Sequence, residues 1–214
     1  MTTLTTFRSV PPFAAGYVRD LRVRWALEEA GIPYTLRLID FEEAAMPAYR
    51  QEQPFGQVPV LHDGGRVLFE TGAILLHLGE RSSTLLPAAP EERERVTMWM
   101  FAALNSVEPY LADLAMLDMF HAGEPWAGAR RPAVEELALK RLASLDAWLE
   151  GRDWLAGRFS VADILMVSVL RLLDGHDLIE RFDRLSAYKA RCTDRPAFRK
   201  ALADQLTLYT PAAA

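Results

Sequence analysis

The chain has 214 residues, of which 50% are hydrophobic and 25% charged, and its formal net charge is −5. This composition is sufficient for one large or two small globular domains, and such mild acidity argues against nucleic acid as the main partner. No apolar run approaches the ~20 residues of a membrane span, and the N-terminus lacks the pattern of a secretory signal. Cys192 is the only cysteine, so no disulfide is expected within the chain. We therefore expect a cytoplasmic protein.

The first forty residues predict a strand, a helix and a second strand. Residues 4–7 form the first strand candidate, and a loop with two adjacent prolines follows at residues 8–17. A helix is predicted from Val18, with Val23, Ala26, Leu27 and Ala30 facing inward and Arg22, Arg24, Glu28 and Glu29 facing outward. Gly31 ends it, and alternating apolar residues at 34–38 predict the second strand, which should lie parallel to the first.

Residues 53–80 hold the most informative pattern of the chain. A polar stretch interrupted by Pro47 precedes them and predicts a short irregular helix. An apolar run at residues 58–61, the turn Asp63-Gly64-Gly65 and a second run at residues 66–69 predict an antiparallel hairpin. A helix is then expected after Glu70-Thr71, because the apolar residues that follow have helical spacing.

Two features of this stretch indicate a binding site. A cis bond at Pro59, which cannot donate to a strand ladder, would turn the backbone of Val58 towards a ligand. A helix start at Thr71 offers N–H groups to a carboxylate, and Glu70 offers an acid to an ammonium group. Together they predict a receptor for an amino-acid zwitterion beside a strand edge. The alternative is that Pro59 merely begins a strand and Thr71 merely caps a helix.

The second part of the chain predicts helices alone. Residues 82–90 are a linker by composition, and an apolar stripe from residue 96 to residue 107 predicts a long helix that Pro109 should kink or end. Residues 121–132 are predicted to be a loop, and another amphipathic helix follows them. Ser160 and Asp163 form a capping pair, a structural role, before a helix that is apolar nearly all round.

Val58-Pro59 and Glu70-Thr71 resemble the glutathione-binding half of the cytosolic glutathione transferases, here of the bacterial type. The sequence LRVRWALEEAGIPY at residues 21–34 resembles the first helix and second strand of that family, and RCTDRPAFRKAL at residues 191–202 resembles its C-terminal helices. The resemblance implies an α/β plus all-α fold. A thioredoxin-like βαβ-α-ββα domain is expected over residues 1–82, and a helical bundle domain over residues 90–214.

The resemblance also implies the roles of five residues towards glutathione, the co-substrate. The backbone of Val58, exposed by cis-Pro59, would pair with the cysteinyl backbone. Glu70 would bind the γ-glutamyl ammonium, and Thr71 its carboxylate. Gln57 matches a position that reaches the glycyl end, although a glutamine there can also be plain solvated surface.

The residue that activates the thiol is expected in the loop after the first strand, where the family places a Tyr or Ser hydroxyl. Ser9 lies nearest the expected position, although it can equally be a loop serine that bonds its own backbone. Tyr17 is the second candidate, and Arg8 could act by charge. The loop is longer than is usual in the family, and it contains no cysteine.

The implied activity is addition of the glutathione thiolate to small hydrophobic electrophiles, as in detoxification. Two alternatives stay open: reduction of peroxides or disulfides by glutathione at the same site, and a non-catalytic binding protein that keeps the fold. The resemblance favours a homodimer. The four histidines have no ligand spacing, so no metal is implied.

Overall fold

A computed structural model describes residues 1–209, and residues 210–214 lie outside the described part. The chain divides into two compact units, Met1–Leu86 with the chain from Arg195 onward, and Pro87–Asp194. The first contains a four-stranded mixed sheet with helices and the second is helical, which confirms the predicted fold class. In the part of the chain described, no helix is both long and apolar enough to cross a bilayer.

Within residues 1–209, the elements in chain order are β1 (Thr2–Phe7), α1 (Asp20–Ala30), β2 (Tyr34–Ile39), α2 (Phe41–Ala45), α3 (Pro47–Arg50), β3 (Val60–Asp63), β4 (Arg66–Leu68), α4 (Thr71–Gly79), α5 (Pro90–Phe101), α6 (Glu108–Phe120), α7 (Pro125–Trp148), α8 (Val161–Leu170), α9 (Asp183–Thr193) and α10 (Pro196–Tyr209). Short 3₁₀ turns lie at Pro12–Ala14 and Arg171–Leu173, and a π-helical segment, Ala102–Val107, joins α5 to α6.

The sheet has the strand order β2-β1-β3-β4. β1 runs parallel to β2, and β3 runs antiparallel to both of its neighbours, as the sequence predicts. Asp63 pairs with Arg66 across the hairpin, and Gly64 and Gly65 form its two-residue turn with φ of 58° and 80°. Both values lie in the left-handed region, where glycine has no steric penalty, so the two glycines fix the register.

Helix α1 departs from the prediction in its charged residues. It begins at Asp20 rather than Val18, and Arg22 and Arg24, which were expected to face outward, are only 4% and 1% exposed. That expectation was wrong because each arginine has a buried partner. Arg24 Nε lies 2.5 Å from Asp20 Oδ2, and Arg22 Nη1 donates to Thr71 Oγ1. Charged groups are buried when they are paired in this way.

The last helix, α10, belongs to the first unit, whereas the resemblance implies a helical domain over residues 90–214. It packs on α1 through both ionic and aromatic contacts. Arg195 donates from Nε and Nη2 to the two carboxylate oxygens of Glu29, at 2.5 and 2.7 Å. The rings of Trp25 and Phe198 are 4.8 Å apart. Helix α10 therefore covers a face of α1.

In the second unit, α6 and α7 each contain a proline that bears on a prediction, Pro109 in α6 and Pro132 in α7. Pro109 lies in the first turn of α6, directly after the π-helical segment, which confirms the expected irregularity. The loop predicted at residues 121–132 is wrong from Pro125 onward, because α7 begins there and continues through Pro132. Arg131, beside this proline, is held by Asp118 with Nε to Oδ1 at 2.7 Å. This ion pair joins the first turns of α7 to α6.

Candidate functional site

One end of the sheet gathers most of the residues that the sequence singles out. The register pairs Thr5 with Val60 and Leu61 with Leu68. The end of β1, the start of β3 and the end of β4 therefore lie at the same end of the sheet. Residues 8–9 follow β1, residues 58–59 precede β3 and residues 70–71 follow β4 there. Loops at the carboxyl ends of parallel strands are where α/β folds bind their ligands. The structure therefore brings Val58-Pro59, Glu70-Thr71 and the start of the loop after β1 to the same end of the sheet.

The bond between Val58 and Pro59 is cis, as the sequence predicts. The ladder between β1 and β3 begins two residues later, at Val60. Within residues 1–209, the backbone N–H and C=O of Val58 have no hydrogen-bond partner. Backbone groups at a buried position are normally paired. An extended peptide segment could supply the missing partners by adding to this edge.

Gln57 lies directly before this edge and is exposed. Its backbone carbonyl accepts a hydrogen bond of 2.7 Å from the hydroxyl of Tyr49. Tyr49 is 2% exposed, and burial raises the pKa of its phenol to about 12, so it remains a donor at neutral pH. Tyr49 thus fixes the backbone beside Val58. No local pattern indicates this role, because Tyr49 lies in an irregular polar stretch.

Glu70 has an unusual backbone conformation, with φ of 65° and ψ of 117°. It is the only non-glycine residue among those described whose φ is positive. Such a conformation costs about 1–3 kcal/mol, and strained residues cluster at binding sites. The side chain is exposed, and within residues 1–209 its carboxylate has no hydrogen bond or ion pair. Glu70 therefore presents an available acid from a strained position.

Thr71 is the first residue of α4 and is buried. The first hydrogen bond of this helix runs from Ile74 N to Glu70 O, at 3.0 Å, so the helix itself gives no acceptor to the three preceding N–H groups. Arg22 Nη1 lies 3.3 Å from Thr71 Oγ1. Because a guanidinium can only donate, the threonine oxygen accepts, and its own hydrogen can be given to a further group. This end of α4 therefore offers donors and positive charge.

Arg22 is the functional candidate that sequence reasoning missed. Its place on an amphipathic helix suggested a solvated outer face, and no local signal distinguishes it from an exposed arginine. Only its hydrogen bond to Thr71 shows that its side chain reaches the start of α4.

The three candidates for thiol activation differ in their surroundings. Ser9 is exposed, and its hydroxyl has no partner among the described residues. Arg8 is held against β2, because its backbone N–H donates to Ile39 O at 2.7 Å and its Nη2 to Leu38 O at 3.1 Å. Tyr17 is 43% exposed, at the far end of the loop. Ser9 thus keeps an available hydroxyl next to the end of β1.

Comparison with known proteins gives the family. The model for "Glutathione S-transferase, N-terminal domain" matches residues 13–80, and the model for "Glutathione S-transferase, C-terminal domain" matches residues 128–196. The FtsZ-localized protein A of Caulobacter vibrioides is 32% identical over 206 residues, which cover 90% of each chain. The chain belongs to the glutathione S-transferase family.

Two other similar proteins bear on the reaction. The disulfide-bond oxidoreductase YfcG of Escherichia coli is 32% identical over 151 residues, covering 64% of this chain and 68% of that one. A glutathione transferase from Pseudomonas putida, crystallised with one glutathione disulfide bound per subunit, is 25% identical with a TM-score of 0.80, over 94% of this chain and 90% of that chain. These similarities support the glutathione chemistry of the family and leave the reaction subtype open.

Proposed function

We propose that this protein binds glutathione along the edge formed by Val58, Glu70 and Thr71 and adds its thiolate to small hydrophobic electrophiles. One observation carries the proposal. At Glu70-Thr71, an available carboxylate and a set of available helix N–H groups occur on adjacent residues, so that one amino-acid zwitterion satisfies both. The γ-glutamyl end of glutathione is such a zwitterion.

The remaining contacts follow from the chemistry of the tripeptide. The ammonium group would bind Glu70, and the carboxylate would accept from the N–H and O–H of Thr71, with the charge of Arg22 behind them. The cysteinyl backbone would pair with Val58, whose partners are missing. Gln57 would reach the glycyl end. This arrangement extends the peptide along the strand edge with its thiol towards the start of the loop after β1.

The thiol must then be ionised near neutral pH. A free thiol has a pKa of ~8.5, and lowering it by about two units requires about 2.7 kcal/mol of differential stabilisation. A hydrogen bond from the Ser9 hydroxyl to the sulfur would supply part of this stabilisation, and the positive end of α1 would supply the rest. The thiolate attacks the electrophilic carbon, a C–S bond forms, and the leaving group departs with its electron pair. Phe13, which is 51% exposed, gives the same loop an apolar surface suited to such substrates.

A second candidate reaction is glutathione-dependent reduction of disulfides or peroxides. The similarity to YfcG and to a structure that holds glutathione disulfide favours it. It needs no protein cysteine, since the glutathione thiolate itself attacks the disulfide sulfur. The similarity to FtsZ-localized protein A keeps a binding role without catalysis as a third candidate. Turnover of aryl halides, mixed disulfides and peroxides, measured side by side, separates the three.

We also infer a cytoplasmic homodimer. The only cysteine, Cys192, is buried and can form no disulfide within the chain, which suits a reducing compartment. The dimer is inferred from the family. Sedimentation velocity over a range of protein concentrations tests it, and a monomer at micromolar concentration would refute it.

Calorimetric titration with glutathione tests the binding site. Glu70→Ala is expected to weaken binding at least tenfold, which is about 1.4 kcal/mol, because the ammonium group loses its counter-charge. Glu42→Ala is the matched control, since Glu42 is an exposed acid in the first turn of another helix. Unchanged affinity in Glu70→Ala, or an equal loss in both variants, would remove the site assignment.

A further inference from the structure

The loop between β1 and α1, residues 8–19, carries both hydroxyl candidates for thiol activation. We call it the β1–α1 loop. Thr6, the second residue before the loop, and Asp20, the first residue after it, are both fully buried, whereas Ser9 and Tyr17 within it are exposed. The position of this loop is therefore set largely at its two ends, and both ends lie against α10.

Asp20 is the centre of this arrangement. It is the first residue of α1, and its carboxylate accepts from Arg24 Nε at 2.5 Å and from Gln205 Nε2 at 2.6 Å. Burial raises the pKa of this carboxylate, and Arg24, the hydroxyl of Thr6 and Gln205 act to lower it. Arg24 balances its charge, so the buried group acts through geometry and adds no net charge to the start of α1.

Gln205 links α10 to the second end of the loop. It is fully buried, and its amide nitrogen donates both to Asp20 Oδ1 and to the carbonyl oxygen of Val18, the latter at 3.1 Å. Both partners are acceptors, so the amide nitrogen and not the amide oxygen must face them. Among the described residues, the buried oxygen Oε1 of Gln205 has no hydrogen-bond partner. The two bonds hold the last residues of the β1–α1 loop to α10.

Tyr209 links α10 to the first end of the loop. Its hydroxyl lies 3.1 Å from the hydroxyl of Thr6. Either hydroxyl can be the donor in this contact. Burial raises the pKa of Tyr209 to about 12, so its hydroxyl keeps its proton at neutral pH. One helix from the far end of the chain thus contacts both ends of the β1–α1 loop.

We propose that α10 is a clamp on the β1–α1 loop and that Gln205 is a positioning residue for thiol activation. The second part rests on the proposed function, since it requires glutathione bound beside the loop. A displacement of about 1 Å in a catalytic group can lower a rate ~100-fold. The clamp would hold the Ser9 hydroxyl in place without contacting substrate itself.

The test compares two clamp variants with two control variants in the same helix. Gln205→Met removes both donors at nearly constant volume, and Tyr209→Phe removes only the hydroxyl. Lys200→Ala removes an exposed ion pair with Glu28. Phe198→Leu reduces buried packing against Trp25, away from the loop. Hydrogen exchange of the amides in residues 8–19 and the thiolate absorbance of bound glutathione, titrated with pH, are measured for each variant.

In Gln205→Met we expect exchange in the β1–α1 loop to become at least ~10-fold faster and the pKa of the bound thiol to rise by about half a unit, with glutathione affinity changed less than about threefold. Tyr209→Phe should give smaller changes in the same direction. Both controls should leave the loop and the thiol unchanged. Equal effects in Phe198→Leu, or none in Gln205→Met, would overturn the clamp. If the wild type does not bind glutathione, the proposed function and the positioning role fail, and the exchange comparison still decides whether α10 holds the loop.

Discussion

Arg22 Nη1 donates to Thr71 Oγ1 across 3.3 Å, from the first turn of α1 to the first residue of α4. The contact orients the threonine hydroxyl and places a buried positive charge behind a helix start. Because both groups are buried, the interaction is less screened than a surface ion pair would be. It joins two elements that the sequence describes only separately.

Arg22→Met should weaken glutathione binding about fivefold. The change keeps an unbranched apolar stem and removes the donor to Thr71, and a hydrogen bond of this kind contributes about 1 kcal/mol. Calorimetry measures the affinity. Arg19→Met, which removes the same charge from an exposed position just before α1, should change it less than about twofold. Equal losses in the two variants would show that overall charge, and not this contact, matters.

Glu70 allows stability and binding to be separated. Glu70→Gly should be more stable than Glu70→Ala by about 1 kcal/mol, because glycine adopts a φ of 65° without strain and alanine does not. Both variants should bind glutathione equally weakly, since both lack the carboxylate. Urea unfolding gives the stabilities and calorimetry the affinities. A glycine variant no more stable than the alanine variant would mean that the backbone at this position carries no strain.

Ser9→Ala should raise the pKa of bound glutathione, because the thiolate loses a hydrogen bond that favours its charged form. A shift of about 0.5–1 unit is expected, followed by the ultraviolet absorbance of the thiolate. Tyr17→Phe is the matched variant, since it removes the other hydroxyl of the loop. A titration that moves in Tyr17→Phe alone would assign the role to Tyr17. If neither variant moves it, Arg8 or backbone amides take that role.

Asp163 should prove structural. Its carboxylate accepts from the backbone N–H groups of Ser160 and Leu155, at 2.9 and 3.1 Å, and from the hydroxyl of Tyr188 at 2.9 Å. Asp163→Ala leaves these buried donors without an acceptor, so a loss of about 2–4 kcal/mol in unfolding free energy is expected. Ser160→Ala, which removes the cap on Ala162 N and one of the donors to Asp163, should cost about 1 kcal/mol. Weaker glutathione binding at unchanged stability would refute the structural role.

Protonation of Asp63 should lower the free energy of unfolding at acid pH. Burial alone would raise the pKa of this carboxylate, but hydrogen bonds from Thr2 and His77 and the charge of Arg81 lower it to about 2. Its unfolded value is about 3.9, so the folded state binds fewer protons between these two values. Its stabilisation is therefore complete above pH ~4 and is lost as the pH falls towards ~2.

Asp63→Asn tests this pH dependence. The variant should lose about 1–2 kcal/mol of unfolding free energy at neutral pH, and the difference from wild type should shrink below pH ~4. Urea unfolding at several pH values measures it. Asp177→Asn, at an exposed carboxylate paired with Arg181, should cost less than ~0.5 kcal/mol throughout. A difference that stays constant down to pH ~2 would contradict the assignment.

Short-range patterns were enough to predict the hairpin and the capping box at Ser160, and the resemblance at Val58-Pro59 implied the cis bond. Each depends on residues within one turn or one helical start, where glycine, proline and capping side chains restrict the backbone directly. The same patterns predicted the position of Glu70-Thr71 at the start of α4, although not the strained φ of Glu70.

The failures arose where a residue's partner is distant in sequence. Arg22 looks like a solvated charge until Thr71 is placed beside it. Arg24 pairs with Asp20 one helical turn away, and this pair looks solvated until Gln205 of α10 is placed against Asp20. Gln205 meets Asp20 across 185 positions, and nothing in either local sequence indicates that pairing. The sequence by itself thus determined the fold class and the family. Only the tertiary structure decided which charges are buried and which helix holds the β1–α1 loop, because burial and pairing depend on elements brought together by folding.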